Sequence, residues 1–255
     1  MSDFIPTWNK NITTFKHNSI IPNSFRMLII GPSNCGKTVL LLKMLITPNF
    51  LDYNNLIIFS KTIDQPEFQI IYHGFNSGLS KQHIVDIFMN QDKIPDDLSI
   101  QDICENFAEL YPNNSETRSN PLDKISVTMS NKYHEIIPCD KLDKNKKNLV
   151  VFDDCVNLKN QEIMESYFTR GRHNKCNAIY LAQNYYDLPG RSIRGNSNFF
   201  IFFQLNKRNK DNIYNDLFSN LLEKIEFNNF DNHLVIKHNY IALAKEHNRV
   251  YEKLL

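Results

Sequence analysis

Gly31-Pro-Ser-Asn-Cys-Gly-Lys-Thr38 sits between the apolar run Met27-Leu-Ile-Ile30 and the apolar stretch Val39-Leu-Leu-Leu42. The octet satisfies G-x-x-x-x-G-K-[ST] at every fixed position. Composition alone would produce that pattern on the order of once in several hundred shuffled chains. Its flanks also fit: an unbroken apolar run reads as a strand buried on both faces, and a mostly apolar helix is expected from Lys37 to about Ile46, ended near Pro48. Each residue type has a task. Glycines permit backbone angles and close approaches that a side chain blocks. Successive amides can then face an anion at the positive end of a helix. Lys37 would reach the β- and γ-oxygens, and the Thr38 hydroxyl would hold Mg²⁺. Gly31, Pro32, Ser33, Asn34, Cys35, Gly36, Lys37 and Thr38 are therefore the candidate residues for binding ATP, with Cys35 passive at a variable position.

Two further strands end in polar groups. Asn148-Leu-Val-Val-Phe-Asp153-Asp154 is an apolar strand closed by two acids. Beside a phosphate loop, the first acid is suited to Mg²⁺ and the second to polarising an attacking water, so Thr38 and Asp153 are the candidate metal residues and Asp154 the candidate base. Asn177-Ala-Ile-Tyr-Leu-Ala-Gln183 ends in an amide able to contact both the γ-phosphate and that water.

The whole chain bounds these readings. It has 255 residues, 42% hydrophobic and 22% charged, which excludes wholesale disorder. The net charge of +1 excludes a general polycation, so any nucleic acid must be met through a local patch. No apolar run reaches membrane-spanning length, and the start Met1-Ser-Asp-Phe4 resembles no secretory leader, so a protein that is not secreted is expected. Five cysteines without C-x-x-C spacing read as reduced thiols. The chain holds 34 Asn and 28 Ile but only 8 Arg, and five of those arginines (170, 172, 191, 194, 208) fall between positions 170 and 208, where uniform scatter would put about one. His173, His233 and His238 lack metal-ligand company and read as surface or satisfied histidines.

Strands are expected at 27–30, 56–59, 149–152, 178–182 and 199–203, with helices at 66–75, 80–89, 100–111, 161–169 and 209–227, the last with Ile213, Leu217, Leu221 and Ile225 on one face. This alternation implies an α/β fold with a mainly parallel central sheet flanked by helices. One domain spans 1–255: an arm over 1–25, a partly irregular insertion over 61–147 that includes a loop at 112–147, and a C-terminal hairpin within 228–255 built from 234–236 and 240–243.

Together the phosphate loop, the Asp153–Asp154 strand, Thr169-Arg-Gly-Arg-His173 through Gln183, and Ile193-Arg-Gly-Asn196 resemble the FtsK–HerA superfamily of ring-forming P-loop ATPases (RecA/ASCE-like). The likeness is to the genome-packaging branch of large double-stranded DNA viruses, virophages and Polinton-type elements. It covers about 26–205. The resemblance implies an extra strand between the P-loop strand and the acidic strand. It implies ATP hydrolysis coupled to sequence-independent translocation of double-stranded DNA, a homo-oligomeric ring and capsid or portal-vertex partners. The setting it implies is an infected cell at sites of virion assembly, in cytoplasm or nucleus, with retention in the particle left open. It also implies an arginine acting on the neighbouring subunit's nucleotide: Arg172 fits that position best, with Arg170 as alternate. Asp154 departs from the glutamate usual in the wider superfamily.

Other classes compete. A P-loop nucleotide or nucleoside kinase would use the arginines as a lid over the phosphates. A GTPase is disfavoured because Asn206-Lys-Arg-Asn209 lacks the guanine-reading Asp. A structural subunit with a decayed loop is disfavoured because Lys37, Thr38, Asp153 and Asp154 are all present.

Overall fold

The computed structural model describes residues 15–89, 98–110, 124–158 and 161–255. Eight strands form one sheet. They are β1 (Arg26–Ile30), β2 (Asn55–Ser60), β3 (Ser126–Ser130), β4 (Asn148–Asp153), β5 (Cys176–Ala182), β6 (Phe199–Phe202), β7 (Ile241–Ala244) and β8 (Arg249–Tyr251). Their spatial order is β3-β2-β4-β5-β1-β6-β7-β8. The first six pair in parallel; only β6–β7 and β7–β8 are antiparallel. The strand expected between the P-loop strand and the acidic strand is β5, which pairs with both β1 and β4.

Successive side chains of a strand point to opposite faces, and both faces here are apolar. Met27 and Ile29 of β1 join one core with Leu41 and Leu45, and Leu28 and Ile30 join the other with Phe168 and Phe218. Helices α1 (Lys37–Ile46), α2 (Pro66–Asn76), α3 (Lys81–Met89) and α4 (Ile100–Leu110) cover the first face. Helices α5 (Glu162–Arg170), α6 (Lys207–Ile213) and α7 (Lys224–Leu234) cover the second.

Four expectations need correction or completion. The helix expected over 209–227 is two helices: α6 runs into a wider turn at Tyr214–Phe218, the chain breaks, and α7 begins at Lys224. Ile225, assigned to the buried face, is 73% exposed, while Phe227 is buried instead. The C-terminal hairpin is formed by β7 and β8, not by 234–236 and 240–243; Leu234 ends α7 and the following residues form a turn. Finally, the expected loop over 112–147 contains β3, which extends the sheet beside β2. Residues 112–123 of that loop, and 1–14 of the arm, lie outside the described residues.

Candidate active site

The parallel register decides where the chemistry gathers. Ile30 pairs with Ala182, Asp153 with Leu181, and Ser60 with Asp153. The C-terminal ends of β1, β5, β4 and β2 therefore form one edge, which carries the loop after Ile30, then Gln183, Asp153–Asp154 and Ser60. Ligands of open α/β sheets bind outside the carboxyl ends of the strands.

The loop is fastened on both sides. The Gly31 amide donates to the Ala182 carbonyl (3.2 Å) and the Phe203 amide donates to the Ile30 carbonyl (2.9 Å). A Cβ on Gly31 would lie 2.7 Å from both Cys35 Sγ and Phe203 Cβ, so no side chain fits there. Gly36 takes φ +104°, a conformation that disfavours every other residue type. It hands the chain to α1, whose first-turn amides are free of helical partners. Lys37 Nζ donates to the carbonyls of Gly31 and Pro32, each at 2.8 Å. The ammonium thus lies over the mouth of its own loop.

Asp153 closes β4 and is 8% exposed. Ser60 Oγ donates to Asp153 Oδ2 at 2.9 Å, and the Thr62 amide donates to Ser60 Oγ at 3.1 Å. Burial raises the Asp153 carboxyl above its usual range and the charge of Asp154 adds to that; the Ser60 hydrogen bond and the charge of Lys37 oppose it. Lys37 therefore acts electrostatically on the acid that sequence reasoning paired with it. Asp154 is exposed and takes φ +52°, which turns the chain out of the strand line immediately after Asp153. An aspartate tolerates that left-handed conformation better than a longer or branched side chain. The donor set of Thr38 hydroxyl and Asp153 carboxylate is hard oxygen, as Mg²⁺ requires when substrate phosphates supply other ligands. Gly31 packs against Cys35 and Phe203 with no room for a side chain, which fixes the backbone where the loop begins.

Ser60 escaped sequence reasoning. Its signal was there: Leu56-Ile-Ile-Phe59 and Leu149-Val-Val-Phe152 are alike, and in parallel register Ser60 falls opposite Asp153. Cys155, two residues on, is buried, and burial pushes its thiol up to about 12, so it is an inert neighbour.

The arginines separate. Arg170 ends α5, and Arg172 lies in the turn Gly171–Asn174 that leads into β5. Both are exposed and lie at the opposite edge of the sheet from Gln183. Seven residues of β5 intervene, roughly 20 Å at strand rise. Arg172 instead adjoins Arg26 at the start of β1: burial lowers the Arg26 guanidinium, Glu246 supports it, and the charge of Arg172 lowers it further. Arg194 is committed elsewhere. Its Nε donates to the Leu188 carbonyl at 3.1 Å, and its guanidinium stacks 4.9 Å from the Tyr185 ring centre and 4.7 Å from that of Tyr186. The Arg208 side chain lies outside what is described.

This fold has a counterpart among solved structures. The genome-packaging NTPase B204 from Sulfolobus turreted icosahedral virus 2, in complex with AMP, superposes with a TM-score of 0.50 over 92% of this chain and 99% of B204, at 11% identity. The chain has the fold of a viral genome-packaging NTPase. The same NTPase in complex with ATP-gammaS gives a TM-score of 0.49 at 12% identity, covering 91% of this chain and 98% of B204. VirB4 of Thermoanaerobacter pseudethanolicus gives 0.45 at 10% identity, covering 86% of each chain. No family model matches the sequence, and no curated protein is significantly similar to it. The B204 superposition bears out the expected α/β fold with a mainly parallel central sheet flanked by helices. No helix of the described residues is long and apolar enough to cross a membrane.

Burial of Asp153 leads to a stability prediction. Its folded-state pKa is raised, so its contribution to stability is favourable below the ordinary carboxylate pKa and turns into a cost as pH rises through the folded value. Above that folded value the ionised, desolvated carboxylate destabilises the nucleotide-free fold. Asp153→Asn should raise the melting temperature by on the order of a few °C at pH 7, with the gain shrinking as pH is lowered, while turnover is lost. Melting curves across pH check this; a lower melting temperature at pH 7 would instead make the carboxylate a structural staple of β2 and β4.

Proposed function

We propose that this protein is an ATP-driven double-stranded DNA translocase that packages viral or transposon genomes into capsids. The observation that carries the reading is the distribution of groups along one strand, β5. Gln183 at its end sits between the phosphate loop and Asp153–Asp154, while Arg172 before its start lies at the far edge. A subunit so built holds a phosphate cradle and water-activating acids on one edge, and on the other an arginine that cannot reach them. Head-to-tail contact between copies supplies the missing charge and, where the rotation closes, makes a ring.

In this reading the loop amides of residues 31–38 and Lys37 bind the phosphates of ATP. Thr38 and Asp153 hold Mg²⁺, which when bound would neutralise charge on the phosphate oxygens. Asp154 accepts a proton from the attacking water, Gln183 orients that water against the γ-phosphate, and Arg172 of a neighbouring copy steadies the leaving charge. Arg170, one turn residue away, is the alternate. The partners are double-stranded DNA gripped through its phosphates and a capsid or portal-vertex protein, with virion assembly in the infected cell as the setting. The kinase alternative loses its main support, since Arg170, Arg172 and Arg194 do not form a lid over the loop.

The test is steady-state ATP hydrolysis under conditions that permit self-assembly, with and without double-stranded DNA. Turnover should rise severalfold with DNA of any sequence, and the gain should fall steeply with added salt. Hydrolysis indifferent to DNA, or phosphate transfer to a nucleoside, would remove the translocase reading.

A further inference from the structure

We infer that Arg194 is a positioning residue for Gln183. It clasps the turn Tyr185–Asp187, which begins two residues beyond that amide, and ties it through Asp216 to the wider turn after α6. The inference rests on the ATPase reading, in which Gln183 orients the attacking water, and adds what holds Gln183 in place.

Gln183 is exposed and stands one residue past the end of β5. Its backbone is fixed on the near side, where Ala182 pairs with Ile30. Beyond it the strand stops, so the fixing falls to side chains. Asn184 does the first part. Its Oδ1 accepts from the Tyr186 amide (3.3 Å) and from Asn209 Nδ2 of α6 (3.0 Å), and its Nδ2 donates to Asp187 Oδ1 (3.1 Å). An asparagine bonded in this way to the backbone two residues on shapes a turn.

Arg194 does the rest. Its guanidinium lies against both tyrosine rings at once, and its Nε donates to the Leu188 carbonyl (3.1 Å), just past the turn. Tyr185 is buried against Phe200 and Phe202 and needs no cation to stay there. Tyr186 is only partly buried; it depends on the cation over its ring and on its hydroxyl, which donates to Asp216 Oδ2 (2.9 Å). Burial and then that hydrogen bond raise the hydroxyl above its usual range, so it remains the donor. Arg194 Nη1 meets the same carboxylate oxygen at 3.7 Å. A planar, always-charged group can stack on rings and donate in its plane together, as an ammonium cannot. The loop is shaped around it: a Cβ on Gly190 would lie 2.8 Å from Arg194 Nη2, and the Gly195 amide returns to the Gly190 carbonyl (2.8 Å).

The experiment measures steady-state turnover and equilibrium ATP binding of the full chain carrying Arg194→Met, Gly190→Ala and Gln183→Ala, singly and combined. Methionine keeps the stem and removes the charge. Alanine at 190 keeps the arginine but pushes its fork off the rings, and the far end of a long side chain can give way without unfolding the loop. A misplacement of about 1 Å can cost about 10²-fold in rate. Arg194→Met should therefore lower kcat about tenfold or more, and Gly190→Ala severalfold, with ATP binding unchanged. In the Gln183→Ala background neither should lower turnover further, because the group they position is gone. Should Arg194→Met fail to fold, Gly190→Ala alone carries the comparison. Losses that multiply in the combined variants, a kcat unmoved by either change, or weakened ATP binding would overturn the inference and leave Arg194 a general support of the loop. If Gln183→Ala turns over normally while Lys37→Ala does not, the inference falls and the ATPase reading stands. If the unmodified chain neither binds nor hydrolyses ATP, the ATPase reading itself falls.

Discussion

Lys37→Ala should lower ATP turnover by on the order of 10³-fold or more, with the melting temperature nearly unchanged. The two effects separate because of what the ammonium does in each state. Without nucleotide it is bound to the carbonyls of Gly31 and Pro32 on a partly exposed loop. Such bonds exchange for water at little net cost. With a triphosphate in the cradle, the same charge lies against oxygens whose negative charge shifts during transfer, and a fixed cation there acts on the transition state. The expected loss therefore appears in kcat more than in stability. Turnover measured beside thermal melting decides it: retained hydrolysis would remove the loop from the active site, and a collapse in melting temperature would make Lys37 a structural pin. Lys37→Arg should not rescue, because a planar fork does not replace a compact point charge inside a narrow loop.

Much of this site was legible in the sequence because strands buried on both faces leave unbroken apolar runs. Met27–Ile30, Leu149–Phe152 and Ala178–Ala182 have that form, and each ends in a residue type with few structural reasons to be there. What the sequence hid has physical causes. Ser126-Val-Thr-Met-Ser130 is an edge strand with polar alternate positions, so it lacks the apolar run that marks its neighbours. Val235 and Ile236 supply β-branched apolarity that reads as a strand, yet they are 68% and 59% exposed on a turn. The 3.6-residue pattern of Ile213, Leu217, Leu221 and Ile225 continues across a real break, because periodicity registers spacing and not continuity. Ser60 depends on register between strands 93 residues apart in the chain, which no local window contains. The clustering of arginines was visible, but its division between the far edge (Arg170, Arg172) and a tyrosine-held loop (Arg194) follows only from topology.

Arg172→Ala should leave nucleotide binding intact and lower turnover by on the order of 10³-fold or more, the range for removing an arginine that stabilises a transferring phosphoryl group. Asp154→Ala should be comparably inactive for a different reason, the loss of the group that takes the proton from water. Mixing the two purified variants then discriminates between placements. Arg172 lies roughly 20 Å from the phosphate loop of its own chain, at the opposite end of β5. If it acts on a neighbour, some contacts in a mixed assembly join an intact Asp154 edge from one variant to an intact Arg172 edge from the other. Those sites hold a complete set of groups, and activity returns in proportion to their number. If Arg172 acted within its own chain, no mixture would contain a complete site and none would recover. Conversion of Arg172 to Lys sharpens the result, since a single rotating ammonium should restore little of what a planar, always-charged guanidinium provides. Should Arg172→Ala turn over normally while Arg170→Ala does not, the trans role passes to Arg170 at the end of α5. The edge-to-edge geometry would survive that exchange, because both arginines stand at the same side of the sheet.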